Sequence, residues 1–394
     1  MKSNYIKIAY ISDVMYPFTI GGSEYRLYCL RKYLKNKPCE LHFFVGKWWK
    51  GPYRYKELEG LFITRKIYGG NNISEKTHRT LLEPLSFTIS LFFKIIFSNT
   101  EFDIIELNYT PLFHYALIPI IRCCKIGKSA RLIATFHEVW LDKWKEYYGG
   151  FESYVGFFLE NYAAKHVDHI ITISKHNKLK LIKWGIDPAK ISVIRPGIEY
   201  HEIQKILNEN EKGYDIVFCG RLTNEKRLDT LLKAISLIKK KYHENVTVGI
   251  IGEGLIKNEL ITLSKSLGVY QQVSFRDFVP RHNLISILKN SKIFVYPAAP
   301  EGGWSIAMLE ANAAGLPLIT SKVSPVGVGG EIVLDGYNGF LTNGSYIDLA
   351  KKILLLLNDE ALREKMGKNG KEFAKQFDWK NIAEETFNLY KRLI

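Results

Sequence analysis

Short apolar runs alternate with helical patterns along almost the whole chain, and this alternation limits the fold more than any other feature. Residues 6–12 form a short, mainly apolar run, as is typical of a strand buried on both faces of a parallel sheet. Residues 23–34 follow with Leu27, Leu30 and Leu34 on one helical face. Such a β-α order predicts a parallel sheet covered by helices on both sides.

The alternation runs through the first half of the chain and then restarts. Further strands are predicted at residues 41–45, 103–106, 132–135, 169–173 and 191–194. A polar stretch follows, and a second series has strands at 214–219, 246–251, 273–275 and 293–296 and helices at 228–239, 255–267 and 284–288. We therefore predict an α/β protein of two doubly wound, Rossmann-like domains, residues 1–200 and 201–377, that face each other across a ligand-binding cleft. Residues 378–394 are predicted to form a helix that packs back on the first domain.

The net charge is +15, and most of it lies in the first half of the chain. Residues 1–200 contain 29 Lys and Arg against 18 Asp and Glu, whereas residues 201–394 contain 26 against 22. A basic surface attracts nucleic acid or an anionic lipid leaflet, although a general solubility charge explains it equally well. Because no basic stripe with interleaved aromatic residues is found, nucleic acid is not an expected partner.

The cysteines and apolar stretches argue for a cytoplasmic protein. The five cysteines include no Cys-x-x-Cys pair, which argues against a disulfide scaffold and a structural zinc site. The N-terminus has the pattern of a strand and not of a signal peptide, and no apolar stretch has membrane-spanning length. Residues 85–97 have two interpretations. They form a core-packed helix, or they contact an anionic membrane surface through Phe87, Leu91, Phe92 and Ile95, which would place the protein on the cytoplasmic face of a membrane.

Two glycine-containing segments follow predicted strands. Gly21 and Gly22 precede the first helix, where Ser23 is predicted as a cap and the free N–H groups favour a diphosphate; a simple flexible turn is the alternative. Residues 220–226, Gly-Arg-Leu-Thr-Asn-Glu-Lys, follow the strand at 214–219. Arg221 and Lys226 there are suited to stabilise the charge of a departing diphosphate, whereas solvated loop charges are the alternative.

Two further segments carry polar residues at strand ends. His137 follows the strand at 132–135 and is able to bond a sugar hydroxyl or to serve as a structural histidine. Residues 300–317 lead from glycines into a helix that begins near Trp304 or Ser305. Glu310 lies among apolar residues of this helix, which predicts hydrogen bonds to ribose hydroxyls unless the side chain faces water.

These segments, in this order and spacing, resemble the family 4 retaining glycosyltransferases of the GT-B fold. The resemblance is carried by Gly21-Gly22, residues 135–138 (TFHE), 220–226 (GRLTNEK), 251–254 (IGEG) and 301–317 (EGGWSIAMLEANAAGLP), and it covers nearly the whole chain. It implies transfer of a sugar, with retained anomeric configuration, from a nucleotide diphosphate sugar that the second domain would bind, to an acceptor that the first domain would bind. The basic first half of the chain and residues 85–97 favour a glycan or a lipid-linked acceptor. The resemblance implies no metal and no cofactor.

The resemblance also implies residue roles. His137, Arg221, Lys226 and Glu301 would serve catalysis. The donor would contact Gly21, Gly22, Gly252, Glu253, Phe278, Val279, Gly303, Trp304, Ser305, Ile306 and Glu310. The family's two glutamates are separated by seven residues, whereas eight lie between Glu301 and Glu310, so Glu301 fits the pattern less well than Glu310.

The absence of an Asp-x-Asp pair favours a mechanism in which fixed cations and helix N-termini, rather than a metal, hold the diphosphate. A front-side attack is expected because no covalent nucleophile stands out. The alternatives are a nucleotide-sugar epimerase, a phosphorylase with a pyridoxal cofactor, a basic nucleic-acid-binding protein and a non-catalytic partner subunit.

Overall fold

The structure is a computed structural model that describes residues 5–18, 21–46, 61–64, 82–109, 112–141, 144, 150–207, 211–298, 304–322 and 329–394. The chain divides into two compact units. Residues 1–173, 177–195 and 380–394 form the first unit, and residues 174–176 and 196–379 form the second. No helix of the described residues is long and apolar enough to cross a membrane.

The first unit is built around a parallel sheet. Its strands are β1 (Ile6–Ser12), β2 (Cys39–Gly46), β3 (Leu61–Thr64), β4 (Ile104–Asn108), β5 (Arg131–Phe136), β6 (His169–Thr172) and β7 (Ile191–Val193). Its helices are α1 (Gly22–Leu34), α2 (Leu82–Ile96), α3 (Ile118–Cys123), α4 (Phe151–His166) and α5 (Lys175–Lys183), of which α5 begins in the second unit.

The second unit repeats the plan. Its strands are β8 (Ile216–Cys219), β9 (Val248–Ile251), β10 (Val273–Arg276), β11 (Ile293–Tyr296), β12 (Leu318–Ser321) and β13 (Gly339–Thr342). Its helices are α6 (Tyr200–Lys205), α7 (Leu228–Tyr242), α8 (Lys257–Ser266), α9 (Arg281–Lys289), α10 (Ile306–Ala314), α11 (Gly329–Ile332), α12 (Tyr346–Asn358) and α13 (Glu360–Lys375). The last helix of the chain, α14 (Trp379–Leu393), lies in the first unit from Lys380 onward.

Both sheets have the strand order of a doubly wound fold. The first runs β3-β2-β1-β4-β5-β6-β7 and the second runs β10-β9-β8-β11-β12-β13. All pairs of strands are parallel. The order reverses between β1 and β4 and between β8 and β11, and ligands of such sheets bind beyond the carboxyl ends of the strands at these points. The predicted fold class is confirmed.

The helices that cover both faces of the sheets determine which side chains are buried. Nearly every residue of β1, β4 and β5 is buried, because helices cover both sheet faces. From α2, Phe87, Leu91 and Ile95 enter the core of the first unit, and Phe92 packs against it. The prediction that these four residues face a membrane is therefore wrong, and the alternative of a core-packed helix holds for them.

Candidate active site

The carboxyl edge of the second sheet brings two loops together through their backbones. The N–H of Gly220 donates to the Ile251 carbonyl at 3.0 Å, and the N–H of Leu222 donates to the Glu253 carbonyl at 2.8 Å. Gly252 has φ +140°, and a Cβ there would lie 2.0 Å from the Gly220 carbonyl oxygen. Only glycine permits this approach. The result is a close-packed backbone platform directly beyond β8 and β9.

Arg221 and Lys226 lie on this edge. Arg221 is exposed, and Lys226 is half-buried with Nζ 5.3 Å from the centre of the Tyr296 ring at the end of β11. Among the described residues, neither cation forms an ion pair with a carboxylate. The pKa of Glu225 is lowered mainly by a hydrogen bond from Thr223, and the charges of Lys226 and Arg221 lower it further. The ring fixes the position of the ammonium group without neutralising it. Both cations therefore keep their charge available for an anion.

Glu253, Phe278 and Val279 form the neighbouring part of the edge. The Glu253 carboxylate accepts the Phe278 N–H at 3.4 Å, which joins the loops after β9 and β10. Phe278 is 68% exposed, whereas Val279 is half-buried. An exposed aromatic ring next to a backbone platform offers a stacking surface to a planar base.

Glu310 projects from α10 and is buried, as its apolar neighbours predicted. Its Oε1 accepts a hydrogen bond from Nε of Arg281 at 2.8 Å, and Oε2 accepts none from the described residues. Burial, with the Glu310 charge as the second cause, raises the pKa of Cys219 to about 12, so this carboxylate lies near the end of β8. Arg281 holds one carboxylate oxygen and leaves the other open to a hydroxyl donor.

Helix α10 begins at Ile306, next to the start that was predicted near Trp304 or Ser305. Ser305 caps the helix, and its Oγ accepts the Met308 N–H at 3.4 Å. The side chain of Trp304 is buried, with its ring 5.2 Å from that of Phe377, while Ser305 and Ile306 are half-buried. The buried ring anchors the first turn of the helix. Two of the predicted residues, Glu301 and Gly303, lie outside the described residues.

In the first unit, helix α1 begins at Gly22, with Gly21 at the cap position and no side-chain cap. The predicted Ser23 cap is wrong because the helix starts one residue before it. Ser23 lies in the first turn, and its hydroxyl donates to Glu24 at 2.7 Å. The Glu24 carboxylate also lies close to Gly21, where a Cβ would be 2.4 Å from Oε2. A negative charge at this turn opposes a phosphate and favours neutral sugar hydroxyls.

His137 lies just beyond β5 and is half-buried. Its Nε2 is 2.9 Å from Oδ1 of Asn108, the last residue of β4. The Asn108 amide donates to Ser12 Oγ at 3.1 Å, at the end of β1. The pKa of His137 is lowered to about 3, mainly by desolvation and to a smaller extent by the charge of Arg26. The imidazole is therefore neutral at physiological pH.

The loop after His137 is held by one buried carboxylate, Glu160 of α4. It accepts hydrogen bonds from the N–H groups of Trp140 and Leu141, from the Trp144 indole and from the Tyr109 hydroxyl at 2.7–3.3 Å. Burial raises the pKa of Glu160, although the four hydrogen bonds act in the opposite direction. Because one side chain accepts from four donors, it holds Trp140, Leu141, Trp144 and Tyr109 in place.

Residues that were not predicted at these two sites include Arg281, Asn108, and the buried pair Arg26 and Glu106, in which Arg26 Nη1 donates to Glu106 Oε1 at 2.8 Å. Arg281 follows Pro280 directly at the start of α9, which is a sequence signal that precedes a helix. The other three contact partners that are 29 to 96 residues distant in sequence. Among the described residues, no three His, Cys, Asp or Glu side chains come together as a metal site.

The two all-parallel sheets have known counterparts. A structure of HepE from Anabaena in complex with UDP matches the fold with a TM-score of 0.72 at 18% identity, covering 98% of this chain and 100% of that one. These proteins share the GT-B fold of glycosyltransferases.

Family models match the chain in succession. Glycosyltransferase Family 4 matches residues 20–202, and Glycosyl transferases group 1 matches residues 199–373. The chain belongs to the group 1 glycosyltransferases, and it is an enzyme of that class.

Two curated relatives agree with this family. An uncharacterised glycosyltransferase of Methanocaldococcus jannaschii is 26% identical over 319 residues, which cover 77% of this chain and 79% of that protein. The capsular polysaccharide biosynthesis glycosyltransferase CapM of Staphylococcus aureus is 28% identical over 270 residues, which cover 61% of this chain and 67% of that protein.

Proposed function

We propose that this glycosyltransferase moves a sugar from a nucleotide diphosphate sugar to a glycan or lipid-linked acceptor, with retention and without a metal ion. The observation that carries the proposal is the pair Arg221 and Lys226, two charged groups at the carboxyl edge of a doubly wound sheet with no ion pair to a described carboxylate. A buried or paired cation would have no charge to spare for a diphosphate. These two have both charge and access.

The remaining donor contacts follow from the same edge. The exposed Phe278 ring stacks on the base, and the open Oε2 of Glu310 accepts a ribose hydroxyl. The backbone platform at Gly220 and Gly252 lets the diphosphate approach closely. The HepE complex with UDP supports uridine diphosphate as the first nucleotide to test.

In the proposed reaction, an acceptor hydroxyl oxygen attacks C1 of the sugar from the face that the diphosphate leaves. The bond from C1 to the diphosphate oxygen breaks, a new C1–O bond forms and the hydroxyl proton passes to the departing diphosphate. Arg221 and Lys226 stabilise the negative charge that grows on the leaving group. The predicted cleft between the domains and the role of Glu301 stay predictions.

Thermal shift with nucleoside diphosphates and their sugars tests the donor class. A bound donor stabilises the folded chain by about 2.7 kcal/mol at a concentration of 100 Kd. We expect a shift that persists in EDTA and is lost in Lys226→Ala, whereas Lys240→Ala, an exposed lysine on α7, keeps it. Proton NMR of the product's anomeric signal then tests retention. A shift that requires a divalent ion, or an inverted product, contradicts the proposal.

The proposal includes attachment to an anionic membrane through exposed apolar stripes. On α2, the residues opposite the core-facing ones are 43–54% exposed: Leu85, Ile89, Phe93 and Ile96. On α4, Phe151, Tyr154 and Phe158 are 62–80% exposed at helical spacing. Both helices contact the 3₁₀ segment Leu112–Leu117. Apolar stripes in the more basic half of the chain suit an anionic leaflet.

Flotation with vesicles tests the membrane proposal. We expect wild type to float with vesicles rich in phosphatidylglycerol at low salt. The double variant Ile89→Ser/Phe93→Ser should stay with the free protein, whereas Leu355→Ser, which alters an exposed leucine of the second unit, should float as wild type does. Equal flotation of the double variant, or none of wild type, removes this part of the proposal.

A further inference from the structure

The backbone of the helix that carries Glu310 is held in place by its neighbours. Glu310 lies in the middle of α10, and the residues directly before and after it are fully buried. A Cβ at Gly367 of α13 would lie 2.1 Å from the carbonyl oxygen of Gly315, the C-cap of α10, so only glycine permits this approach. Gln204 of α6 donates to the Ala313 carbonyl at 2.8 Å. Because the backbone is held, the direction of the Glu310 carboxylate depends on its own side-chain contacts.

Arg281, the first residue of α9, supplies such a contact. Its Nε donates to Oε1 of Glu310 at 2.8 Å. The arginine side chain is 38% exposed and the glutamate side chain 9%, so the contact extends from the surface to a buried carboxylate. Burying a carboxylate is costly unless a cation bonds to it. Arg281 therefore offsets the cost of placing Glu310 in this position.

The contact occupies one oxygen of the carboxylate. An arginine that meets a carboxylate as a bidentate fork occupies both oxygens. Here the hydrogen bond runs from Nε to Oε1, and Oε2 accepts none from the part of the chain that the structure describes. The two oxygens of Glu310 are therefore not equivalent toward a ligand.

This difference matters for a ribose, which has neighbouring hydroxyls at its 2′ and 3′ positions. A carboxylate with two open oxygens is able to accept both hydroxyls, one at each oxygen. With Oε1 held by Arg281, one hydroxyl has Oε2 as its acceptor and the other has no open oxygen of Glu310. A hydrogen bond to an ionised acceptor is about twice as strong as one between neutral groups. One hydroxyl should thus account for most of what Glu310 contributes.

We propose that Arg281 is a positioning residue of the donor site, which orients Glu310 so that the carboxylate accepts one ribose hydroxyl and not its neighbour. This inference rests on the proposed use of a nucleotide diphosphate sugar and deepens it. Arg281 acts through Glu310, whereas the proposed leaving-group contacts are made by Arg221 and Lys226. Loss of Arg281 should therefore raise KM for the donor and leave kcat nearly unchanged.

Calorimetric titration with deoxynucleotides tests the number of hydroxyls that Glu310 accepts. The nucleotide is whichever of uridine, adenosine and guanosine diphosphate binds wild type most tightly, and its 2′-deoxy and 3′-deoxy forms are compared with it. The part of each loss of affinity that disappears in Glu310→Gln is the part that Glu310 contributes. We expect this part to be about tenfold for one hydroxyl and to be absent for the other.

Variants of Arg281 test its role. Arg281→Met should weaken binding of the ribonucleotide about tenfold and remove most of the Glu310-dependent difference between the two deoxy forms. Arg281→Lys returns a cation and should restore most of the affinity. His282→Gln, at the exposed next position of α9, should bind as wild type does. A merely structural loss would lower the number of binding sites in the titration without changing this difference.

A Glu310 contribution at both hydroxyls in wild type would overturn the proposal. So would an Arg281→Met chain that binds and discriminates as wild type does, or an unchanged affinity in Glu310→Gln, and neither result would affect the proposed diphosphate contacts. If the nucleotides bind in the expected pattern but no sugar is transferred, the proposed function fails and this inference stands. Absence of binding by all three nucleotides would overturn both.

Discussion

The two units use cations in opposite ways. Arg26 in the first unit is fully buried, paired with Glu106 and beyond the reach of solvent. Arg221 and Lys226 in the second unit lie at a sheet edge and have no ion pair with any carboxylate that the structure describes. A buried, paired charge acts on its neighbours and on the folded state, whereas an accessible, unpaired charge is available to a ligand. The comparison predicts that substitutions in the two units affect different measurements.

Removal of the buried cation should have the largest effect, and on stability. Arg26→Met leaves Glu106 buried without its partner, which we expect to lower the free energy of unfolding by about 3–5 kcal/mol. Arg221→Ala should change it by about 0.5 kcal/mol or less, because the side chain is exposed. Urea unfolding of both variants measures the difference. Equal losses in the two variants would remove the distinction between the units.

Turnover should depend more on the exposed cations of the second unit than stability does. Loss of Arg221 or of Lys226 removes a charge that stabilises the leaving group, and we expect kcat to fall by about 10²–10³ while stability is kept. Lys240→Ala, from α7, is the matched control and should retain wild-type turnover. A steady-state assay with the donor found by thermal shift measures this effect. Near-normal turnover in Lys226→Ala would contradict the assignment of the leaving-group site.

A smaller effect, on nucleotide affinity, is expected at Glu310. This carboxylate is buried and paired with Arg281, as Glu106 is with Arg26, but one of its oxygens is open to a ligand. Glu310→Gln removes the charge that a ribose hydroxyl would meet, and we expect nucleoside diphosphate affinity to fall about tenfold, or about 1.4 kcal/mol. Calorimetric titration measures it. Glu360→Gln, an exposed position on α13, is the control. Unchanged affinity in Glu310→Gln would place the ribose elsewhere.

The first unit should also give stability a pH dependence. His137 and His169 both have a lowered pKa in the folded chain, so the unfolded chain binds more protons below pH 6.5. Stability should therefore fall on acidification from pH 6.5 toward pH 3, for His137 by up to about 1.4 kcal/mol per pH unit. Urea midpoints at pH 7.5 and pH 5 should differ more in wild type than in His137→Gln. Equal differences would show that His137 does not contribute.

The sheets could be predicted from the sequence because buried strands have continuous apolar runs. The strands Ile6–Ser12 and Ile293–Tyr296 have the predicted bounds, and Glu310 is buried as its neighbours indicated. Residues 85–97 are apolar on both faces, and such a pattern does not reveal which face the core takes.

The buried pair was beyond sequence reasoning for a different reason. Arg26 and Glu106 lie 80 residues apart, and each alone has the appearance of an ordinary polar residue in its helix or strand. Their contact depends on the pairing of β1 with β4, which places α1 and the end of β4 together. A long-range pairing of this kind follows from the tertiary fold and not from local pattern.

The central claim is that the two unpaired cations of the second unit bind the diphosphate of the donor. Calorimetric affinities of uridine diphosphate and of uridine, in wild type and in Arg221→Ala/Lys226→Ala, test it most directly. The account predicts that wild type strongly prefers the diphosphate, with EDTA present, and that the double variant loses this preference while its affinity for uridine is kept. An equal preference for the diphosphate in both proteins would contradict the account.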